Sequence, residues 1–140
     1  MGDVSTSGTD DGRRIRLVIV DDDEGIRILL EVTISLDHRF QHVGSAGNAA
    51  DALELLRGLP DDARPDAVLL DVTLPDRDGI ELVADVRAEA PDTKVALFTG
   101  WSDDETIRRA GAAGADAVFG KDGDPRGLLD GLAGLFATTD

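Results

Sequence analysis

Ile15-Arg16-Leu17-Val18-Ile19-Val20-Asp21-Asp22-Asp23 is a short apolar run that stops abruptly on three carboxylates. Its branched residues do not alternate with polar ones, so it reads as a strand buried on both faces, the kind found inside parallel sheets. Similar runs recur at Ala67 to Leu70, Val95 to Phe98 and Ala117 to Phe119. Phe40 to Ala46 is more polar and suits an edge strand.

Helical spacing fills the intervals. Ile26, Leu29, Leu30 and Thr33 mark the apolar stripe of a first helix. Ala49, Ala52, Leu53 and Leu56 mark a second, with Asn48 as its N-cap. Leu82, Val83, Val86 and Ala90 mark a third, stopped by Pro91. From about Asp103 to Ala113 a fourth helix has little beyond Ile107 and Ala110 to bury. Asp124 and Pro125 cap and open a last helix with Leu128, Leu129, Leu132, Leu135 and Phe136 on one side. Five alternations of strand and helix predict an α/β fold: a flavodoxin-like, doubly wound, five-stranded parallel sheet of order 2-1-3-4-5 with five helices.

A length of 140 residues suits one domain. Residues 1–12 hold almost nothing to bury and are expected to be a disordered tail, residues 13–136 the domain, and residues 137–140 a short C-terminal tail. Met1 and the lack of a visible linker lead us to expect a stand-alone domain. No apolar run approaches the ~20 residues of a membrane span, so no membrane insertion is expected, and no signal-peptide pattern opens the chain. Cysteine is absent, which excludes disulfides and thiolate chemistry and makes the cytoplasm the simplest setting. With 29 acidic and 14 basic residues, the formal charge of −15 argues against direct binding of nucleic acid. Cations and basic protein patches suit it better.

In such a sheet ligands bind beyond the carboxyl ends of the strands, where strand order reverses. Asp21, Asp22 and Asp23 follow the first strand, Asp71 closes the third, Thr99 the fourth, and Lys121 lies just past the fifth. Asp23 and Glu24 are equally explained as turn formers or helix caps. Thr99 alone is an ordinary strand residue and Lys121 alone an ordinary surface lysine. Their convergence is what matters: three carboxylates at adjoining strand ends repel one another unless a cation joins them. Few carboxylates, waters and a phosphoryl oxygen form the set that Mg²⁺ prefers, whereas Ca²⁺ usually takes more protein oxygens.

The order of these residues resembles the response-regulator receiver family, over about Ile15 to Phe136. The matching segments are Ile19 to Asp23, Leu70-Asp71-Val72-Thr73-Leu74-Pro75 with Asp78-Gly79, Phe98-Thr99-Gly100, and Gly114-Ala115-Asp116 leading to Lys121. The resemblance implies a signalling switch rather than a conventional enzyme, one that catalyses its own phosphorylation and dephosphorylation. It implies Asp71 as phosphoacceptor, with Asp21, Asp22, Asp71 and the backbone carbonyl of Thr73 around Mg²⁺. Thr99 and Lys121 would hold phosphoryl oxygens. The partners implied are a sensor histidine kinase or histidine phosphotransfer protein, and a downstream protein on the face of the fourth helix, fifth strand and fifth helix. A monomer or a weak phosphorylation-dependent dimer is expected.

Two positions depart from the family pattern. Val118 stands where many relatives have a mobile aromatic, with Phe119 next to it expected on the opposite face. Asp122 stands where many have proline, which argues against a cis bond after Lys121. Trp101, two residues past Thr99, is expected either as an exposed loop aromatic or beside the path of the hydrolytic water, where with uncharged Thr73 it would slow phosphate loss. His38 and His42, near the edge strand, read as surface residues.

Three rivals remain. A haloacid-dehalogenase-type phosphatase needs a second acid two residues after its nucleophile; Asp71 has Thr73 there, while Asp21 has Asp23 but lacks the cap domain and remaining loops in so short a chain. A pseudo-receiver would keep the fold as an interaction module, against which Asp71, Thr99 and Lys121 speak. A nucleotide-binding domain would want a glycine-rich turn after the first strand, which is missing.

Overall fold

The computed structural model describes residues 14–100 and 103–136. The expected tails at 1–12 and 137–140, and the expectation for Trp101, lie outside the described residues.

Apolar runs become strands where the sequence places them: β1 (Ile15–Val20), β2 (Phe40–Ala46), β3 (Ala67–Asp71), β4 (Lys94–Thr99) and β5 (Ala117–Gly120). Helices α1 (Glu24–Ser35), α2 (Ala49–Gly58), α3 (Gly79–Glu89), α4 (Asp104–Ala113) and α5 (Pro125–Gly134) alternate with them, and a 3₁₀ turn over Asp61–Ala63 adds one short element. All strand pairings within the sheet are parallel and the order is β2-β1-β3-β4-β5, the doubly wound arrangement expected. Order therefore reverses between β1 and β3.

Because successive strand residues face opposite sides, the central strands feed two cores. Val18, Val20, Val68, Leu70, Val95 and Leu97 pack under α2 and α3, with Ala110 of α4 at the margin. Leu17, Ile19, Leu69, Ala96 and Phe98 pack under α1 and α5. Each helix starts on a side-chain cap at Asp23, Asn48, Asp78, Asp103 or Asp124, whose oxygen accepts from an amide of the first turn. Asp23 is thus a cap, one of the two roles left open for it. Gly114 ends α4 in the left-handed region at φ 94°, where a Cβ would be strained.

Two expectations need correction. The buried residues of α1 are Leu30 and Ile34, with Ile26 beside them, while Leu29 is 51% exposed. Residues four apart share a face, and the row 26-30-34 took the sheet, leaving Leu29 a full step of rotation away. His42 is not a plain surface residue. Its Nε2 lies 2.7 Å from Ser45 Oγ, which donates to Glu31 Oε2 at 2.8 Å. Residues three apart in a regular strand point to opposite sides, but the β1–β2 register slips after the Leu17–His42 pair, skipping Val43, and this bulge lets His42 and Ser45 meet.

Candidate phosphoryl-transfer site

β1 and β3 end side by side at the reversal of strand order, so Asp21 and Asp71 emerge next to each other, 0% and 4% exposed. Asp22, one residue further, is exposed. Carboxylate oxygens of Asp21, Asp22 and Asp71 lie within 4.8 Å of one another, close enough to share one cation. Lys121, carried past the end of β5, returns over Phe98, with Nζ 5.3 Å from the ring centre. There Nζ stands 2.8 Å from Asp21 Oδ2 and 3.1 Å from Asp71 Oδ2. The lysine offers charge to Asp21 Oδ2, yet among the described residues no donor is aligned on that buried oxygen at hydrogen-bonding angles. A buried carboxylate oxygen in this condition suits a metal ion.

The loop after β3 is folded tightly against the site. Thr73 N donates to Asp71 Oδ1 at 3.0 Å, and Gly79 N donates to Val72 O at 2.7 Å. A Cβ at Gly79 would stand 1.9 Å from the Asp71 carbonyl oxygen, so only glycine fits that close approach. Thr99, 5% exposed, closes β4 at the same edge, and its carbonyl accepts from Lys121 N at 2.8 Å.

Electrostatics follow from burial. Burial pushes the Asp71 carboxyl above its ordinary value, the nearby Asp21 charge adds to this, and the Thr73 amide and Lys121 work against it. Burial opposes the charge on Lys121, but Asp21 and Asp71 outweigh it and hold its pKa above that of an ordinary lysine. A crowded acidic edge with one resident ammonium is short of positive charge.

The described geometry can be set beside known proteins. The response regulator receiver domain, as a family, matches residues 17–133. This chain belongs to that family. As a receiver domain it is a signalling module of two-component systems, and receiver domains bind a metal at an acidic pocket of this kind. It is 36% identical over 108 residues to the DNA-binding transcriptional activator DevR/DosR of Mycobacterium tuberculosis, covering 77% of this chain and 48% of that protein. It is 31% identical to the uncharacterized transcriptional regulatory protein YhcZ of Bacillus subtilis, covering 82% of this chain and 52% of the relative. The chain thus spans about half the length of these relatives. A CheY-like receiver from Methanospirillum hungatei JF-1 superposes with a TM-score of 0.76 at 27% identity, over 87% of this chain and 93% of that one.

Both departures of this receiver from the family pattern take the expected form. Val118 packs toward the α2–α3–α4 core, whereas Phe119 faces α5. A Cβ at Gly131 would meet the Phe119 ring at 2.4 Å, so that glycine makes room for the ring. No cis peptide occurs among the described residues.

Three contacts around the receiver site escaped sequence reading. Arg27 Nη1 donates to the Asp21 carbonyl at 2.7 Å. Asp76 accepts from Ala49 N and Ala50 N at 2.8 and 3.0 Å, tying the β3–α3 loop to the start of α2. Arg109 Nη2 of α4 donates to Asp78 Oδ2 at 2.7 Å. Only for Arg27 was there a local signal, since it lies one helical turn beyond the cap Asp23.

Proposed function

We propose that this receiver takes a phosphoryl group onto Asp71 from a phosphohistidine on a sensor kinase or phosphotransfer protein, with Mg²⁺ as the resident cation. The observation that carries this reading is the buried pair Asp21 and Asp71, joined by Lys121 and flanked by exposed Asp22. Asp21, Asp22, Asp71 and the Thr73 carbonyl would hold the ion, which when bound offsets phosphoryl charge during transfer.

An Asp71 oxygen attacks phosphorus as the P–N bond to the donor breaks, and the imidazole leaves with the electron pair and takes up a proton. Lys121 gives up its contact with Asp71 to donate to a phosphoryl oxygen, and the Thr99 hydroxyl donates to another. Hydrolysis restores the carboxylate: water attacks the same phosphorus, the P–O bond to Asp71 breaks, and inorganic phosphate leaves with the proton given up by the water. In this sense the domain catalyses its own phosphorylation and dephosphorylation.

The donor reaches the open edge past α1, whose outward residues Ile28, Leu29, Val32 and Leu36 are 51 to 77% exposed and suit an apolar helical ridge. Output is assigned to the face of α4, β5 and α5, which adjoins Thr99 and Lys121. With the domain at residues 13–136 and an excess of acid over base, we infer that this segment does not itself contact nucleic acid and works in the cytoplasm as a monomer or weak phosphorylation-dependent dimer. Among the described residues no helix is long and apolar enough to cross a membrane.

Intact mass after acetyl phosphate, with and without Mg²⁺, on wild type and Asp71→Asn tests the chemistry. One phosphoryl group is expected on the wild type with Mg²⁺ and none on the variant, with borohydride trapping at Asp71. Label on Asp21, Asp22 or a histidine, or full labelling in EDTA, would overturn it.

A further inference from the structure

Asp21 follows β1 with its amide paired to Ala46 O at 3.0 Å, but there the neighbouring chain leaves the sheet through Gly47 to begin α2 at its cap, Asn48. The Asp21 carbonyl is thereby left without a ladder partner, and an unpaired main-chain oxygen at a buried edge is costly. Arg27 supplies the partner, Nη1 to Asp21 O at 2.7 Å. Gly47 makes room for it: a Cβ there would stand 3.2 Å from Arg27 Nη1 and 4.0 Å from the same carbonyl.

Around this contact the β1–α1 loop is tied at each step. Asp23 N donates to Asp21 Oδ1 at 2.9 Å, Arg27 N donates to Asp23 O at 3.0 Å, and Ile26 N donates to Asp23 Oδ1 at 3.2 Å. Asp22 is the residue in the middle. Its carboxylate is exposed and projects from a loop whose two sides are clamped, one by the Asp23 cap and the other by the guanidinium.

We propose that Arg27, seated over Gly47, is a positioning residue for the metal site: by holding the Asp21 carbonyl it fixes the loop that presents Asp21 and Asp22 to the cation. The proposal rests on the metal reading above. Arg27 does not touch the phosphoryl group or the ion. Its effect falls on cation affinity, not on the transfer step once the cation is bound. Charge alone argues for the opposite result, since removing a nearby positive group makes an acidic pocket more attractive to Mg²⁺. Loss of an outer-shell partner that orients ligands typically weakens metal binding about 10–100-fold. The sign of the change therefore separates positioning from simple electrostatics.

The test is Mg²⁺ titration by calorimetry on the unphosphorylated protein, joined to acetyl phosphate labelling as a function of Mg²⁺. Arg27→Ala is expected to raise the Mg²⁺ Kd by about 10-fold, and to raise half-saturating Mg²⁺ for labelling equally, with the rate at saturating Mg²⁺ close to wild type. Arg27→Lys should recover part of the affinity. Gly47→Val, which displaces the guanidinium without removing it, should reproduce the loss and serves if Arg27→Ala does not fold. Amide exchange at Asp22 and Asp23 in the metal-free variants should quicken. An unchanged or tighter Kd in both variants, or a fall in saturated rate equal to the fall in affinity, overturns the proposal. If wild type itself neither binds Mg²⁺ nor takes label, the reading of the site has failed instead.

Discussion

α1 and α4 flank the acidic edge from opposite faces of the sheet, and different forces hold them. α1 buries Leu30 and Ile34 in the core it shares with α5, yet turns Ile28, Leu29, Val32 and Leu36 to solvent. α4 buries Ala110 alone, and the Arg109–Asp78 contact ties it to the loop that follows Asp71. Close-packed side chains resist sliding, whereas a half-exposed ion pair exchanges readily with water. The difference teaches that α1 is suited to remain in place while it presents an apolar face, and α4 to shift when the loop below it changes.

Core truncation should expose the contrast most strongly. Leu30→Ala on α1 is expected to cost about 2–5 kcal/mol in urea unfolding, through lost transfer energy and the cavity left behind. Ala110→Gly on α4 should cost only about 1 kcal/mol, the helix-propensity difference. Equal losses from the two would remove the basis of the comparison.

Between the helices lies Asp71, whose carboxyl is held above its ordinary value by burial and by Asp21. A carboxyl raised in the folded state leaves stability intact below the unfolded pKa and lowers it as pH rises through the folded one. Metal-free Asp71→Asn should therefore be more stable than wild type at neutral pH, and the gain should vanish below about pH 4. Urea titrations across that range check it, and a gain that persists in acid would point to packing instead.

Arg109→Gln is expected to leave global unfolding almost untouched and to speed amide exchange in α4 several-fold, with α1 unchanged. Beryllofluoride with Mg²⁺ should affect the same amides in wild type. Uniform exchange across both helices would show that the ion pair is not what holds α4.

Smallest in stability is Leu36→Ser, at a position 77% exposed, with a change expected within about 0.5 kcal/mol. Its effect should appear in phosphotransfer from a histidine-phosphorylated partner, which slows, while labelling by acetyl phosphate keeps its rate. If both reactions proceed as in wild type, the outward stripe of α1 takes no part in donor docking.

Much of this molecule is legible in its local sequence. Strand runs, caps at Asn48 and Asp124, the stop near Pro91 and the opposed directions of Val118 and Phe119 follow from local rules of burial and backbone geometry. The same rules could not choose between Leu29 and Leu30, neighbours on one helix. Nor could they foresee the slip after His42, because a bulge is settled by the partner strand.

By itself, then, the sequence determined the alternation of elements and the arrival of Asp21, Asp71, Thr99 and Lys121 at one end of one sheet, since strand ends in a parallel fold all point the same way. Only the tertiary structure decided which side chains complete that edge. Asp76 reaches amides of α2 more than 25 residues earlier, and Arg109 reaches Asp78 across 31 residues. Arg27 meets Asp21 because β2 turns away at Gly47. The long-range contacts of Asp76 and Arg109 depend on loop paths and packing angles that no local pattern of residues encodes, and even the nearby Arg27 is aimed at the carbonyl by the path of β2.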